Sequence, residues 1–402
     1  MLEADGPPAG ARPGRLAQPE PRGGALGGPR TIPDTVSAST AQARPAPAQE
    51  IRFCRGTDGA RLAYARHGAG PPMVVVSCWL SHLQHDWQSP VWRHFLEGLG
   101  DIATTYRYDE RGFGLSDWDI QDFSLEARVG DLEAVVAAAG LERFALLGMS
   151  GGGPVAITYA ERHPEMVTRL ILYGGSTAAN PPRTPEEEAE RDAYKALIRV
   201  GWAREEPRFR RVFTTMFIPG ATEEQMRWLD DLQRMSTSTE NAIASRDARM
   251  RADVRPLLSK IKAPTLMLHA RGDQMVEFDS ALAACASIPS AQLVPLDSSN
   301  HILLADEPAW PVFLAELEAF MAPDAARLRA RGPAGTADLT RREREIVRLT
   351  ADGLTNTAIG EQLGLSPRTI ERHLSNAYVK LNVSGKAART AAAASVVRDD
   401  LQ

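Results

Sequence analysis

The chain has 402 residues, more than one ordinary domain needs, and 43% of them are hydrophobic, enough for a full core. No run approaches the roughly 18 apolar residues of a membrane span, and no apolar segment near the start reads as a signal peptide. Three widely spaced cysteines, Cys54, Cys78 and Cys285, read as free thiols of a reducing cytoplasm rather than as a disulfide framework. The net charge of −5 is uneven: residues 339–402 hold ten Lys or Arg against seven Asp or Glu, a surplus of +3 that leaves −8 on the rest. A mildly basic tail on an acidic body suits a phosphate-binding module.

Residues 1–48 are rich in Pro, Gly and Ala and are predicted to be disordered, since they cannot bury enough surface to offset ordering entropy. Residues 51–66 read as a β-hairpin turning at Thr57-Asp58-Gly59. Met73–Val76 is a short apolar run of buried-strand type, and Tyr106–Asp109 ends another strand. A helix is predicted from Ser124, with Leu125, Val129, Leu132, Val136 and Ala139 on one face. Strands follow at Arg143–Leu147 and Arg169–Tyr173, with a helix to about His163 between them. This alternation predicts a parallel sheet covered on both faces.

The pattern breaks off between about 176 and 256, where charged helical sequence (Pro185–Arg199, then Glu223–Met235) reads as a lid. Strands resume at Pro264–Leu268 and Gln292–Leu296. An α/β domain is therefore predicted over 49–321, a linker over 322–338, and an all-helical domain over 339–402.

Gly148-Met149-Ser150-Gly151-Gly152-Gly153 places a serine on a tight strand-to-helix turn. A serine hydroxyl is a poor nucleophile until a base takes its proton, and exposing it on such a turn needs small neighbours. Gly148 and Gly152 supply the freedom and close packing, and free N–H groups at a helix start stabilise a developing oxyanion. Asp273 and His301 each follow a predicted strand, on the same sheet edge as Ser150 and in the order acid then histidine.

With Tyr108-Asp109-Glu110-Arg111-Gly112-Phe113-Gly114-Leu115-Ser116 added, residues 51–321 resemble the α/β-hydrolase fold. The resemblance implies Ser150 as nucleophile, His301 as base and Asp273 as acid. It also implies oxyanion donors from the Gly151 backbone and from the loop after Val76. That loop departs from the family pattern: Ser77-Cys78-Trp79-Leu80-Ser81-His82 stands where many members have His-Gly, so Cys78 and Trp79 are both candidates. His82 and His85 lack a third ligand, so pocket lining or helix surface is expected, with neither metal nor cofactor. Trp79, Trp87 and Trp92 suit either an apolar pocket or the core.

In the tail, Thr340-Arg341-Arg342-Glu343 fits a capping box before a helix bearing Ile346, Val347 and Leu349 and ending at Gly353. Thr355 caps a second helix with Ala358, Ile359 and Leu363. Gly364-Leu365 turns, and Ser366-Pro367 opens a third helix with Ile370, Leu374, Ala377 and Leu381 on its buried face. The opposite face carries Arg368, Thr369, Arg372, Ser375, Asn376 and Lys380, able to bond base edges or phosphates.

Residues 339–396 resemble the LuxR-type helix-turn-helix domain, on Leu339-Thr340, Arg342-Glu343, Gly353–Asn356, Ser366-Pro367, Thr369-Ile370, His373, Lys380-Leu381 and Val383. The resemblance implies a four-helix module that dimerises through its last helix and contacts double-stranded DNA through Arg368, Thr369, Arg372, Asn376 and Lys380. Glu371 departs from it, standing where a basic residue is common. The expected function is a cytoplasmic transcriptional regulator whose hydrolase-like domain senses a small acyl, ester or lactone molecule, with its consumption by a serine-hydrolase reaction left open. An esterase localised or autoregulated by its DNA-binding domain is the alternative.

Overall fold

The structure is a computed structural model that describes residues 49–177, 184–322, 339–381, 383 and 388–399. The predicted disorder of 1–48 and all but the first residue of the predicted linker lie outside the described residues.

The predicted hairpin forms from β1 (Glu50–Arg55) and β2 (Arg61–His67), and β2 also pairs antiparallel with β4 (Thr104–Tyr108). The remaining pairings are parallel. β3 (Pro72–Val76) lies between β4 and β5 (Phe144–Met149), followed by β6 (Val167–Tyr173), β7 (Thr265–Ala270) and β8 (Ala291–Leu296). The sheet order is β1-β2-β4-β3-β5-β6-β7-β8.

Strand residues alternate between the two faces of this sheet. Met73, Val75, Leu147, Met149, Ile171 and Tyr173 join one core, while Val74, Val76, Leu146, Leu170 and Leu172 join the other. Among the helices of the first half, α1 (Leu83–Asp86) and α2 (Arg93–Ile102) precede β4. α3 (Leu125–Ala138) and α4 (Gly153–Arg162) flank β5. Phe95 and Leu99 of α2 enter the first core, whereas Val129, Leu132 and Val136 of α3 and Ile157 of α4 enter the second. Ser124 caps α3 as expected, its hydroxyl accepting from Ala127 N at 3.2 Å.

The lid is α5 (Pro185–Gly201), α6 (Arg210–Phe217), α7 (Glu223–Ser236) and α8 (Thr239–Arg249). The sequence pattern shows only α5 and α7. α8 buries little beyond Asn241, Ala242 and Ser245, so no apolar stripe announces it. α6 is organised around a buried cation: Arg210 donates to the carbonyls of Gly201 and Trp202 at 3.0 and 2.8 Å, answering orphan acceptors at the end of α5. After the lid come α9 (Arg255–Leu258), α10 (Phe278–Ser287) and α11 (Ala309–Met321).

The tail forms α12 (Arg341–Ala351), α13 (Asn356–Leu363), α14 (Pro367–Lys380) and α15 (Ala388–Asp399). Its core gathers Ile346, Val347, Ile359, Ile370, Leu374, Ala377 and Leu381. The capping box closes, with Glu343 N donating to Thr340 Oγ1 at 3.2 Å and Thr340 N to Glu343 Oε2 at 2.8 Å. Gly364 ends α13 at φ +65°, a left-handed turn that a side chain would strain. Ser366 then accepts from Thr369 N at 3.1 Å to start α14.

One buried ion pair ties the loop after β4 to α3. Arg111 donates to both oxygens of Asp131 at 2.7 and 2.6 Å, and the Asp131 side chain is fully enclosed. Asp131→Ala leaves that buried guanidinium only the half-exposed Asp58 as a partner and is expected to cost about 3 kcal/mol, read as a lowered urea midpoint at unchanged slope.

Candidate active site and nucleic-acid interface

Ser150 stands directly after β5 with φ +50°, the one positive φ outside glycine among the described residues. Such strain persists only where surrounding packing over-determines it, and it turns the serine out of the strand. The glycines explain how. A Cβ on Gly148 would meet the Ala156 methyl at 2.7 Å, and one on Gly152 would meet Val76 O and Ser77 O at 2.4 and 2.6 Å. The loop after β3 thus rests directly on the turn. Within that loop Trp79 N lies 3.8 Å from where a Gly151 Cβ would stand, while the Cys78 thiol is buried and donates to Leu80 O at 3.5 Å. Burial pushes that thiol up to about 12, so it stays protonated.

Asp273 and His301 meet at the carboxyl ends of β7 and β8, with His301 Nδ1 2.7 Å from Asp273 Oδ2. Both side chains are almost wholly enclosed. The backbone N–H groups of Met275 and Val276 donate to the other carboxylate oxygen at 2.7 and 3.1 Å. Burial opposes ionisation of Asp273, but His301 and these donors outweigh it and hold the carboxyl below its usual range. A carboxylate so placed fixes the imidazole tautomer and leaves the far ring nitrogen to handle a proton.

The lid touches this machinery. Phe217, at the end of α6, accepts from His301 N at 2.9 Å, and its ring lies 5.6 Å from the imidazole. Trp79 donates to Ser245 Oγ of α8 at 3.0 Å and packs on Trp202 and Phe213. Trp92, Phe217, Leu229, Leu232 and Ile302 line a small apolar cavity of about 10 Å³ beside Cys78. Trp87 packs elsewhere, against His67 and Arg93. His82 caps α1, and His85 stacks on Trp228 of the lid at 4.3 Å. Among the described residues no cluster of His, Cys, Asp or Glu could hold a metal.

Three further residues crowd the turn. Arg249, the last residue of α8, pairs with Glu110, and Arg128 of α3 donates to Glu110 and to Gly151 O at 2.5 and 2.7 Å. Glu110 was visible within the Asp109–Ser116 motif. Nothing in the polar sequence around Arg249 marks it.

In the helical domain Arg368, Arg372 and Asn376 are exposed on one side of α14. Thr369 is partly covered and its hydroxyl lies 2.8 Å from that of Ser366. Lys380 is different. Its ammonium lies 2.6 Å from Glu343 Oε2, so it ties α14 to the capping box of α12 and its charge is already answered within the domain.

Comparison with known proteins agrees with both halves. A family model for the alpha/beta hydrolase fold matches residues 71–308, and one for bacterial regulatory proteins of the luxR family matches residues 337–393. A 2-hydroxy-6-oxononadienedioate/2-hydroxy-6-oxononatrienedioate hydrolase of Paraburkholderia phymatum is 30% identical over 282 residues, spanning 67% of this chain and 92% of that protein. A pimeloyl-acyl-carrier-protein methyl ester esterase of Nitrosomonas europaea is 27% identical over 239 residues, spanning 58% and 90%. The crystal structure of a hydrolase from Pseudomonas aeruginosa PA01 shares the fold at TM-score 0.57 and 23% identity, covering 67% of this chain and 98% of that one. With its matched sheet and its helix-turn-helix tail, the chain belongs to the alpha/beta hydrolase fold family and carries a fused LuxR-type DNA-binding domain.

Proposed function

We propose that the chain is a transcriptional regulator whose α/β-hydrolase domain binds and hydrolyses a small acyl ester or lactone. The observation that carries this reading is the 2.7 Å His301–Asp273 pair, set on the same sheet edge as a serine held at φ +50°. A sensor that only bound its ligand would have no need of a strained serine or of a buried, ionised carboxylate behind a histidine. In this mechanism Ser150 attacks the carbonyl, His301 takes its proton and returns it to the leaving alcohol, and Asp273 holds the imidazole in the required tautomer. The N–H groups of Gly151 and Trp79 receive the oxyanion, Trp79 being favoured over Cys78 by its approach to Gly151. A serine rather than a carboxylate at this position speaks for ester chemistry over epoxide opening, and one relative is named as a methyl ester esterase.

Coupling to DNA requires only that the ligand bind two states of the protein with different affinity. Phe217 and Trp79, which join lid helices to His301 and to the oxyanion loop, supply contacts that occupancy of the site would alter. A homodimer formed through α15 would present two copies of α14 to successive major grooves.

Purified protein is expected to cleave short p-nitrophenyl esters. Ser150→Ala should abolish this and Asp273→Asn should reduce kcat by about 10⁴-fold, in line with loss of the correct tautomer. Absence of turnover in the unaltered protein removes the hydrolytic half of the proposal. For the DNA half, an operator selected from randomised duplexes should bind Arg372→Ala about 1–3 kcal/mol more weakly, measured by fluorescence anisotropy. Lys380→Ala should instead lower the melting temperature of the domain, because it strips Glu343 of its partner.

A further inference from the structure

Of Ser150, Asp273 and His301, the histidine is the one that its own strand holds least. Ser150 follows β5 at once, and Asp273 lies three residues beyond β7. His301 lies five residues beyond β8, the last strand of the sheet, in which only the final residue, Leu296, is buried. An edge strand pairs on one side only and fixes the loop after it less firmly than a central strand does. An imidazole that handles a proton nevertheless has to be held to within about half an ångström.

The hold comes from β6, inside the sheet. Tyr173 is its last residue, in register with Met149 of β5 on one side and Leu268 of β7 on the other. Its ring is buried and meets that of Phe313 edge-on, with centroids 5.2 Å apart. Its hydroxyl donates to His301 O at 2.7 Å and accepts from Leu303 N at 3.1 Å. Burial pushes the phenol well above its ordinary range, so it keeps the proton it donates. One side chain thus spans the three residues that carry the imidazole. Gly174, the next residue, makes room for the ring: a Cβ there would meet His301 Cε1 at 3.1 Å and Asp273 Oδ2 at 3.7 Å. The other backbone bond of His301, from its N–H to Phe217 O at 2.9 Å, is made to the lid.

We propose that Tyr173 is a positioning residue of the site: its hydroxyl sets the His301 backbone so that the imidazole meets Asp273 through one ring nitrogen and offers the other to Ser150. This rests on the reading of His301 as the base that serves Ser150. Tyr173 does no chemistry itself and acts through the peptide it holds. Without the hydroxyl, His301 O and Leu303 N lose their buried partner, and the loop shifts to find others. A displacement of about 1 Å at a proton-transferring ring is worth up to about 10²-fold in rate.

The test compares the unaltered protein with Tyr173→Phe, which keeps the ring and removes the oxygen. Proton NMR follows the far-downfield resonance of the His301 Nδ1–H that bridges to Asp273, identified by its loss in Asp273→Asn. Hydrolysis of a p-nitrophenyl ester gives kcat and KM. Tyr173→Phe is expected to move that resonance upfield or broaden it away, and to lower kcat about 10- to 100-fold with KM within about twofold. Tyr159→Phe strips a similarly buried phenol in the other core and controls for a merely structural loss. It is expected to lower the melting temperature and leave the resonance and kcat in place. p-Aminophenylalanine at position 173, a weaker donor in the same place, is expected to fall between tyrosine and phenylalanine. It decides if Tyr173→Phe does not fold, an unmoved resonance then overturning the proposal. A Tyr173→Phe protein that keeps the resonance, or whose loss is confined to KM, overturns it. So does a Tyr159→Phe protein that moves the resonance as far, or an unaltered protein that lacks it. If the unaltered protein turns over no ester while Tyr173→Phe still moves the resonance, the positioning role stands and hydrolysis fails.

Discussion

The reversal of the chain at the end of β5 is the constraint on which the site depends. Ser150 is held in a left-handed conformation that costs about 1–3 kcal/mol for a residue with a side chain, and the cost is met by packing on every side. Gly148 lies on Ala156 of α4, Gly152 lies under the carbonyls of Val76 and Ser77, and Arg128 holds Gly151 O. These contacts come from β3, α3 and α4, so the serine is fixed by the sheet rather than by its own loop. In the proposed reaction, preorganisation of this kind would let backbone N–H groups wait at the position where charge develops.

Around that turn the lid is attached by polar contacts as well as by the apolar core that its Trp202, Phe213, Phe217, Leu229 and Leu232 share with the sheet. Arg249 reaches Glu110, Trp79 reaches Ser245, and Thr237 donates to Gly112 O at 2.6 Å. Apolar packing tolerates sliding, whereas a charge-assisted bond is made or lost over a short distance. The helical domain is simpler. Its apolar face is complete within α12–α15, and the exposed arginines of α14 have no role in that packing.

Much of this was legible in the residues. Ile370, Leu374, Ala377 and Leu381 recur at helical spacing and are all buried, and Thr340, Thr355 and Ser366 each cap the helix that the local pattern announced. Strand alternation and the Ser150–Asp273–His301 order were readable for the same reason: period, caps and turns are local properties. The lid was half legible. α6 and α8 bury Arg210, Thr214, Asn241 and Ser245 as well as apolar side chains, so their pattern carries no clean stripe. The Lys380–Glu343 pair was not legible, because helical phase shows which face a residue is on but not which charge 37 positions away meets it.

By itself, then, the sequence determined the elements, their caps, the two kinds of domain and the residues able to do chemistry, because each of these follows from neighbours within a few positions. Only the tertiary structure decided which charges meet. Glu110, Arg128 and Arg249 come from a strand end, a sheet helix and the lid, up to 139 residues apart, and their convergence on Gly151 depends on how the chain folds back on itself. Electrostatic pairing acts through space, so this buried charge cluster beside Ser150 exists only in the folded molecule.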